Sequence, residues 1–273
     1  MLVRRIVSHR VLPAWVLLAV AMPSACDRPL GTASGVPVAT SGAFGHVVIV
    51  AEENHNYGDV IGSAAMPYLN GLSTQYGLAA TYYATTHPSI GNYFMLATGQ
   101  IVTNNDSYST IVTVDNIVRR LLASGKTWKS YAESIPNACY LGGDTGEYAR
   151  KHNVFALLSD VANDPTGQAC NIDCPLSTAD DWLKTNIDPL IKSSTFQQNG
   201  LLIIVFDESA SDNTNGGGRV AWVAVSPKAK PTYQSTTLYQ HQSTLRVILK
   251  GLGVTLYPGA AASAPDMDEF FTP

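Results

Sequence analysis

The sequence predicts an α/β fold, a mostly parallel β-sheet sandwiched by helices. Two runs, His46–Ala51 (HVVIVA) and Leu201–Phe206 (LLIIVF), are short, continuous and apolar. That is the pattern of strands covered on both faces. Stretches of helical period separate these and the other strand candidates, which implies parallel strands joined by crossovers. Polar residues able to do chemistry stand directly after the strands, where open α/β sheets hold their ligands.

The elements follow in chain order. Arg4, Arg5 and Arg10 precede the apolar stretch Val11–Met22, and Ser24-Ala25-Cys26 closes it. A basic start, a short apolar middle and a small-residue exit predict that residues 1–26 are an export signal, too short and too broken by Pro13 to span a membrane. Cys26 after small residues resembles a lipoprotein box, although Pro23 stands where such boxes prefer leucine. Lipid anchoring through Cys26 and simple cleavage both stay open, and both place the protein outside the cytoplasm: periplasmic, envelope-anchored or secreted. Residues 27–44, rich in Gly, Ser, Thr, Ala and Pro, read as a flexible tether. Residues 45–273 read as one domain, with no further linker and no internal repeat. Within it Leu78–Ala84, Lys126–Tyr131 and Val220–Val225 are further strand candidates. Met66–Tyr76, Tyr93–Thr98, Asp115–Ser124, Ala179–Ser193 and Gln242–Gly251 carry helical patterns.

Composition narrows the function. The 273 residues hold 45% hydrophobic and 14% charged side chains, with 17 Lys+Arg against 21 Asp+Glu and a net charge of −4. Such a chain is too apolar to stay disordered. It lacks the basic surface on which general nucleic-acid binding rests. Three arginines and no acid lie in residues 1–26, so without that segment the charge is −7. Export permits disulfides. Cys139 is expected to pair with Cys170 or Cys174, and spacing does not choose between them.

The strand ends carry the chemistry. HVVIVA runs into Glu52-Glu53-Asn54, and LLIIVF into Asp207-Glu208. Carboxylates gathered at one sheet edge repel each other, so they need a cation or a proton. Oxygen ligands suit one hard divalent ion, Mg²⁺, Ca²⁺ or Mn²⁺, and Zn²⁺ also accepts carboxylates. Ser89, at a strand-to-helix turn after Thr85-Thr86-His87-Pro88, is the candidate nucleophile, because helix-start N–H groups can face an anion there. Asn92, one turn on, can donate to a phosphoryl oxygen. No GxSxG elbow, GxxxxGK[ST] loop or HExxH helix is present, which removes support for lipase-type hydrolases, P-loop NTPases and zincins.

Taken in order, VVIVAEENHNYGDVIG, THPSIGNYFMLATG, YAESIP, YARKHNVF, LLIIVFDES, GGGRVAWVAVSP and YQHQSTLRVILKGLG resemble the bacterial phosphoesterase family of phospholipases C and secreted acid phosphatases, over residues 46 to about 255. The resemblance implies an alkaline-phosphatase-like fold and a phosphate-ester substrate. It implies Glu53, Asn54, Asp207 and Glu208 as metal ligands, Ser89 as the nucleophile forming a phosphoserine, and Asn92 at the phosphoryl oxygens. It places His152 and His241 around the active site as donors to phosphate or leaving group, with Glu133 as an acid nearby. Shorter family members are similar to phosphomonoesterases. The expected activity is therefore a metal-assisted phosphomonoesterase, with a phospholipase C or a catalytically silent phosphate-binding relative as alternatives. Two departures stand out. CNIDCPLSTADDWL lacks a histidine the family carries near Asp173, and Gly91 stands where proline is usual.

Overall fold

The computed structural model describes residues 44–164, 168–171 and 176–272, without side chains at 168–171 and 176–178. The expected signal, the tether up to residue 43, Cys26, Asp173 and Cys174 lie outside the described residues. Cys139 is disulfide-bonded, and the choice between Cys170 and Cys174 falls on side chains outside the description. Among the described residues no helix is long and apolar enough to cross a membrane.

The central sheet has five strands: β1 (His46–Glu52), β2 (Gly77–Ala79), β6 (Gly200–Phe206), β7 (Trp222–Val225) and β8 (Tyr233–Ser235). Their spatial order is β1-β6-β7-β2-β8. Four strands run the same way, and β7 is antiparallel to both neighbours. Two parallel pairs stand outside this sheet. β3 (Tyr82–Tyr83) pairs with β9 (Tyr239–Gln240), and β4 (Ser130–Glu133) with β5 (Gln168–Asn171). The mostly parallel α/β reading therefore holds, with one reversed strand.

The two apolar runs differ in what covers them. β6 is buried along all seven residues, as expected. Among the described residues β1 pairs only with β6 and is half-exposed, with Ile49 40% accessible, so its expected two-sided cover is not found there. A continuous apolar run is equally compatible with an edge position. The single strand expected over Leu78–Ala84 is split at Ala80-Thr81, its first part in the main sheet and its second against β9. The strand expected over Lys126–Tyr131 starts later and joins β5 instead of the main sheet.

The helices are α1 (Tyr57–Val60), α2 (Pro67–Gln75), α3 (Ser89–Thr98), α4 (Ile117–Ala123), α5 (Ser159–Asn163), α6 (Leu176–Trp182), α7 (Asp188–Lys192), α8 (Ser194–Asn199) and α9 (His241–Gly251). A wider π-type turn, Leu183–Ile187, joins α6 to α7. Pro189 explains it: proline has no N–H for the carbonyl four residues back, so the ladder must reset just before it. One helical group, α3, α4 and α9, packs together; α2 and α8 reach β2, β7 and β6. The start of α2 is capped from a distance. The buried Asp180 carboxylate accepts from Tyr68 N and Leu69 N, both at 2.9 Å. This satisfies two donors that every helix start leaves free, with the charge the helix dipole favours.

Candidate active site

The parallel register of β1 and β6 pairs Glu52 with Phe206, so both strands end on the same line. Asp207 N donates to Glu52 O at 2.9 Å and extends the ladder one step. Beyond it the chains turn, and the Asp207 carboxylate accepts from Glu208 N (2.7 Å) and Asn54 N (3.2 Å). Asp207 is wholly buried and Glu208 nearly so. Burial, then the charges of Glu53 and Glu208, push the Asp207 carboxyl well above the usual carboxylate range.

Ser89 opens α3 and faces this acid edge. Its hydroxyl donates to Glu208 Oε1 at 2.8 Å, and its side chain is completely buried. The helix begins here, four residues before the apolar period predicts, because Asn92 ties the turn shut. Asn92 Oδ1 accepts from Thr85 N (2.9 Å) and Thr86 N (3.1 Å), while Nδ2 donates to Thr86 O (2.8 Å). The Gly216–Gly218 run lies across the same turn. Gly217 N donates to Ala84 O, Ala84 N donates to Gly218 O, and a Cβ at Gly216 (φ +107°) would stand 2.1 Å from Thr85 O. Only glycine permits that approach and that backbone conformation together.

The structure thus gathers Asn54, Ser89, Asp207 and Glu208 at one point. Glu53 is drawn to the rim: its Oε1 accepts from Tyr93 OH at 3.1 Å and lies 2.9 Å from His152 Nε2. Burial alone would raise the Glu53 carboxyl, but His152, Tyr93 and Lys151 outweigh it and hold it below the usual range. The His152 N–H is within ion-pair distance yet not aligned as a hydrogen bond. Two expected residues have other tasks. Asn92 spends its oxygen and one N–H of its amide on the loop, so bracing the turn is the task its contacts show. His241 lies behind the acids, completely buried, with Nε2 2.7 Å from Asp207 O and Nδ1 3.0 Å from Tyr82 OH. Burial lowers it to about 4, against which the Asp207 carbonyl works. A neutral ring whose nitrogens are both occupied cannot protonate a leaving group. Glu133 sits at the end of β4, in the outlying pair.

The donor set can be tested for a cation. Two carboxylates, one carboxamide and one hydroxyl are all hard oxygen ligands. Asp207 is a buried acid with no cationic side chain among its described hydrogen-bond partners, and burial opposes its charge. With its NH₂ toward the acids, Asn54 donates to Asp207 Oδ1 at 3.0 Å and Glu208 Oε1 at 3.3 Å. The opposite orientation sets its Oδ1 3.5 Å from Ser89 Oγ, one more oxygen in an oxygen cluster. A bound cation, or a proton on one of the acids, would relieve that crowding. Among the described residues, however, no three His, Cys, Asp or Glu side chains converge as a ready-made metal cage.

Three residues belong to the site without having been expected there. His87 Nδ1 contacts Glu208 Oε2 at 2.5 Å while Nε2 donates to Asp212 O at 3.0 Å, clamping the acid that holds Ser89. Asp106 and Lys151 pair at 3.1 Å beside the start of α3. The string THPS signals the first, being two residues from Ser89; nothing in the sequence brings Asp106 and Lys151 together.

Residues 63–170 match the model of the phosphoesterase family. Over 292 aligned positions the chain is 27% identical to a phosphatidylinositol-3-phosphatase of Mycobacterium tuberculosis, covering 96% of this chain and 95% of that protein. It is 26% identical to a probable acid phosphatase of Kluyveromyces lactis, covering 74% and 57% of the two chains, and 25% identical to an acid phosphatase of Aspergillus fumigatus, covering 78% and 56%. It therefore spans little more than half the length of those two fungal relatives. Among solved structures, a protein in the alkaline phosphatase superfamily from Vibrio parahaemolyticus superposes with a TM-score of 0.55 at 14% identity, covering 85% of this chain and 72% of that one. The lipoteichoic acid synthase LtaP from Listeria monocytogenes also gives 0.55, at 11% identity and 85% and 75% coverage. The chain is thus similar in sequence to the phosphoesterase family and to phosphatases, and it shares the alkaline-phosphatase-like fold.

Proposed function

We propose that this protein is an exported phosphomonoesterase of the acid-phosphatase type, working through a phosphoserine on Ser89. The observation that carries it is the single hydrogen bond from the Ser89 hydroxyl to Glu208 Oε1 at 2.8 Å, at the start of a helix and beside a second buried acid. Similarity over nearly the whole length to a protein named as a phosphatidylinositol-3-phosphatase supports a monoester substrate. Glu208 takes the Ser89 proton as the hydroxyl oxygen attacks phosphorus, and His87 keeps that carboxylate in place through its other oxygen. The alcohol leaves on the opposite side of phosphorus. His152, held against Glu53, supplies the proton it needs, and water then cleaves the phosphoserine.

Asn54, Asp207 and Glu208, with Glu53 adjacent, would hold a divalent cation. Such an ion supplies charge stabilisation to the phosphoryl oxygens and lowers the pKa of a bound hydroxyl. The chain's own contribution is a buried, water-poor cluster in which the nucleophile, its base and the helix-start N–H groups are fixed beforehand.

Ser89→Ala is expected to remove turnover of a generic phosphomonoester and the acid-stable phosphoprotein trapped with it, with melting unchanged within a few degrees. Retained turnover would overturn the assignment. Cation binding is read by titration calorimetry of the chelator-treated protein, where Asp207→Asn should lose the divalent-ion isotherm; an unaltered isotherm removes Asp207 from the ligand set.

A further inference from the structure

The start of α3, one residue beyond Ser89, already holds an anion, and it comes from the chain itself. Asp106 reaches in from the segment after α3, and its Oδ1 accepts from Ile90 N at 3.4 Å. Ile90 directly follows the nucleophile, so its N–H is one of the free donors at the start of a ten-residue helix. The other Asp106 oxygen pairs with Lys151 Nζ at 3.1 Å. Lys151 is next to His152, whose ring packs 5.5 Å from Tyr93, so the short helical turn Arg150–His152 lies against α3. One carboxylate therefore bridges a backbone donor and an ammonium one residue along the chain from Ser89, as two oxygens of a phosphoryl group would.

Local packing brings this loop to the site. A Cβ on Gly91 would stand 2.2 Å from Asn104 Oδ1 and 2.6 Å from Thr86 Cγ2. Asn104 Nδ2 also donates to Thr86 Oγ1 at 2.9 Å, fastening the loop to the nucleophile turn. The departure noted in the sequence, glycine where the family usually has proline, is what leaves room for this approach. Asp106 and Lys151 keep 33% and 27% of their side-chain surface accessible, so an entering anion can compete for both partners. An ion pair this exposed is worth little by itself. Burial works against the charge of Lys151, but Asp106, and behind it Glu53 and Asp207, hold it above the ordinary lysine range.

We infer that Asp106 is an internal place-holder for the phosphoryl group, and that Lys151, exchanged from Asp106 to substrate, is a phosphate-binding residue of this enzyme. The exchange breaks and forms no covalent bond. Phosphoryl oxygens replace the carboxylate at Ile90 N–H and Lys151 Nζ, and Asp106 turns to solvent. This rests on the phosphomonoesterase reading for the identity of the anion.

The test is the affinity of the full chain for inorganic phosphate, by titration calorimetry in one divalent-ion buffer, alongside phosphomonoester turnover. Asp106→Asn removes the competing charge, and phosphate should bind about tenfold tighter; Asp106→Ser should act in the same direction. Lys151→Met should weaken phosphate at least tenfold, Lys151→Arg should recover most of it, and Asp106→Asn should give no gain in the Lys151→Met background. Unchanged or weaker binding by both Asp106 variants overturns the proposal, as does wild-type affinity in Lys151→Met. The two readings fail separately. If Ser89→Ala abolishes turnover and Asp106→Asn gains nothing, only the place-holder falls. If the binding pattern holds while Ser89→Ala stays active, the exchange stands and the nucleophile is wrong. A wild-type chain that binds no phosphate overturns both.

Discussion

Thr244→Val is the sharpest probe of how the acid edge is held. Trp222 Nε1 donates to Thr244 Oγ1 at 2.9 Å, Thr244 meets Tyr82 OH at 2.7 Å, and Tyr82 meets His241 Nδ1 at 3.0 Å. His241 Nε2 ends the chain on Asp207 O at 2.7 Å. All four side chains are completely buried. An indole N–H only donates and a peptide oxygen only accepts, so every proton has one direction, from Trp222 toward Asp207. Valine nearly matches threonine in volume but removes the relay oxygen. The orphaned indole N–H costs about 1–3 kcal/mol, and the bond Tyr82 no longer receives about 1 more. The added methyl recovers about 0.8 kcal/mol of burial. The expected net loss is about 2 kcal/mol in urea unfolding at neutral pH, with an unchanged denaturant slope. Thr244→Ser keeps the oxygen and should lose only about 1 kcal/mol, for one methyl. A Thr244→Val protein within 0.5 kcal/mol of wild type would show that the chain is not continuous, and with it the account of His241 as a neutral support for Asp207 would fail.

Two further outcomes follow from the geometry. Asn92→Asp cannot donate to Thr86 O and sets a charge against that carbonyl; turnover should fall at least tenfold with KM little changed, whereas a KM effect alone would mean the side chain touches substrate after all. Asp160 titrates in the acid range: burial raises its carboxyl, but Arg119 and Asn116 outweigh that and hold it below its usual value. Its contribution is thus full above the unfolded value near pH 4 and lost as pH falls through the lower folded value. Asp160→Asn should flatten the acid limb of the stability profile below about pH 4 while costing under about 1 kcal/mol at neutral pH, since the pair is partly exposed; an unchanged acid limb would contradict this.

Much of the fold was legible because its strongest signals are local. LLIIVF is a buried strand, and the helix boundaries of α2, α4 and α9 lie within two residues of those the periodicity predicts. The split after Ala79 and the edge position of β1 were not legible, because which strand lies beside which is decided by contacts remote in sequence. The site divides the same way. Ser89, Asp207 and Glu208 could be found because a strand end and a helix start are themselves sequence signals. The tasks of Asn92 and His241 could not, since a polar side chain near a site reads alike whether it faces substrate or braces the loop behind it.

Charge placement explains why an acidic chain can suit an anionic substrate. Arg119, Arg120, Lys192, Arg246 and Lys250 are engaged with Asp160, Asp115, Asp188, Asp266 and Asp268. Cations committed to surface pairs raise no broad positive field, so general polyanions gain nothing by approaching. Under the proposed function, recognition would then rest on donors near Ser89: helix-start N–H groups, one lysine and the buried acids once their repulsion is neutralised. On the proposed function, a net negative protein that concentrates its attraction this tightly is expected to favour a small phosphoryl group over an extended phosphate backbone.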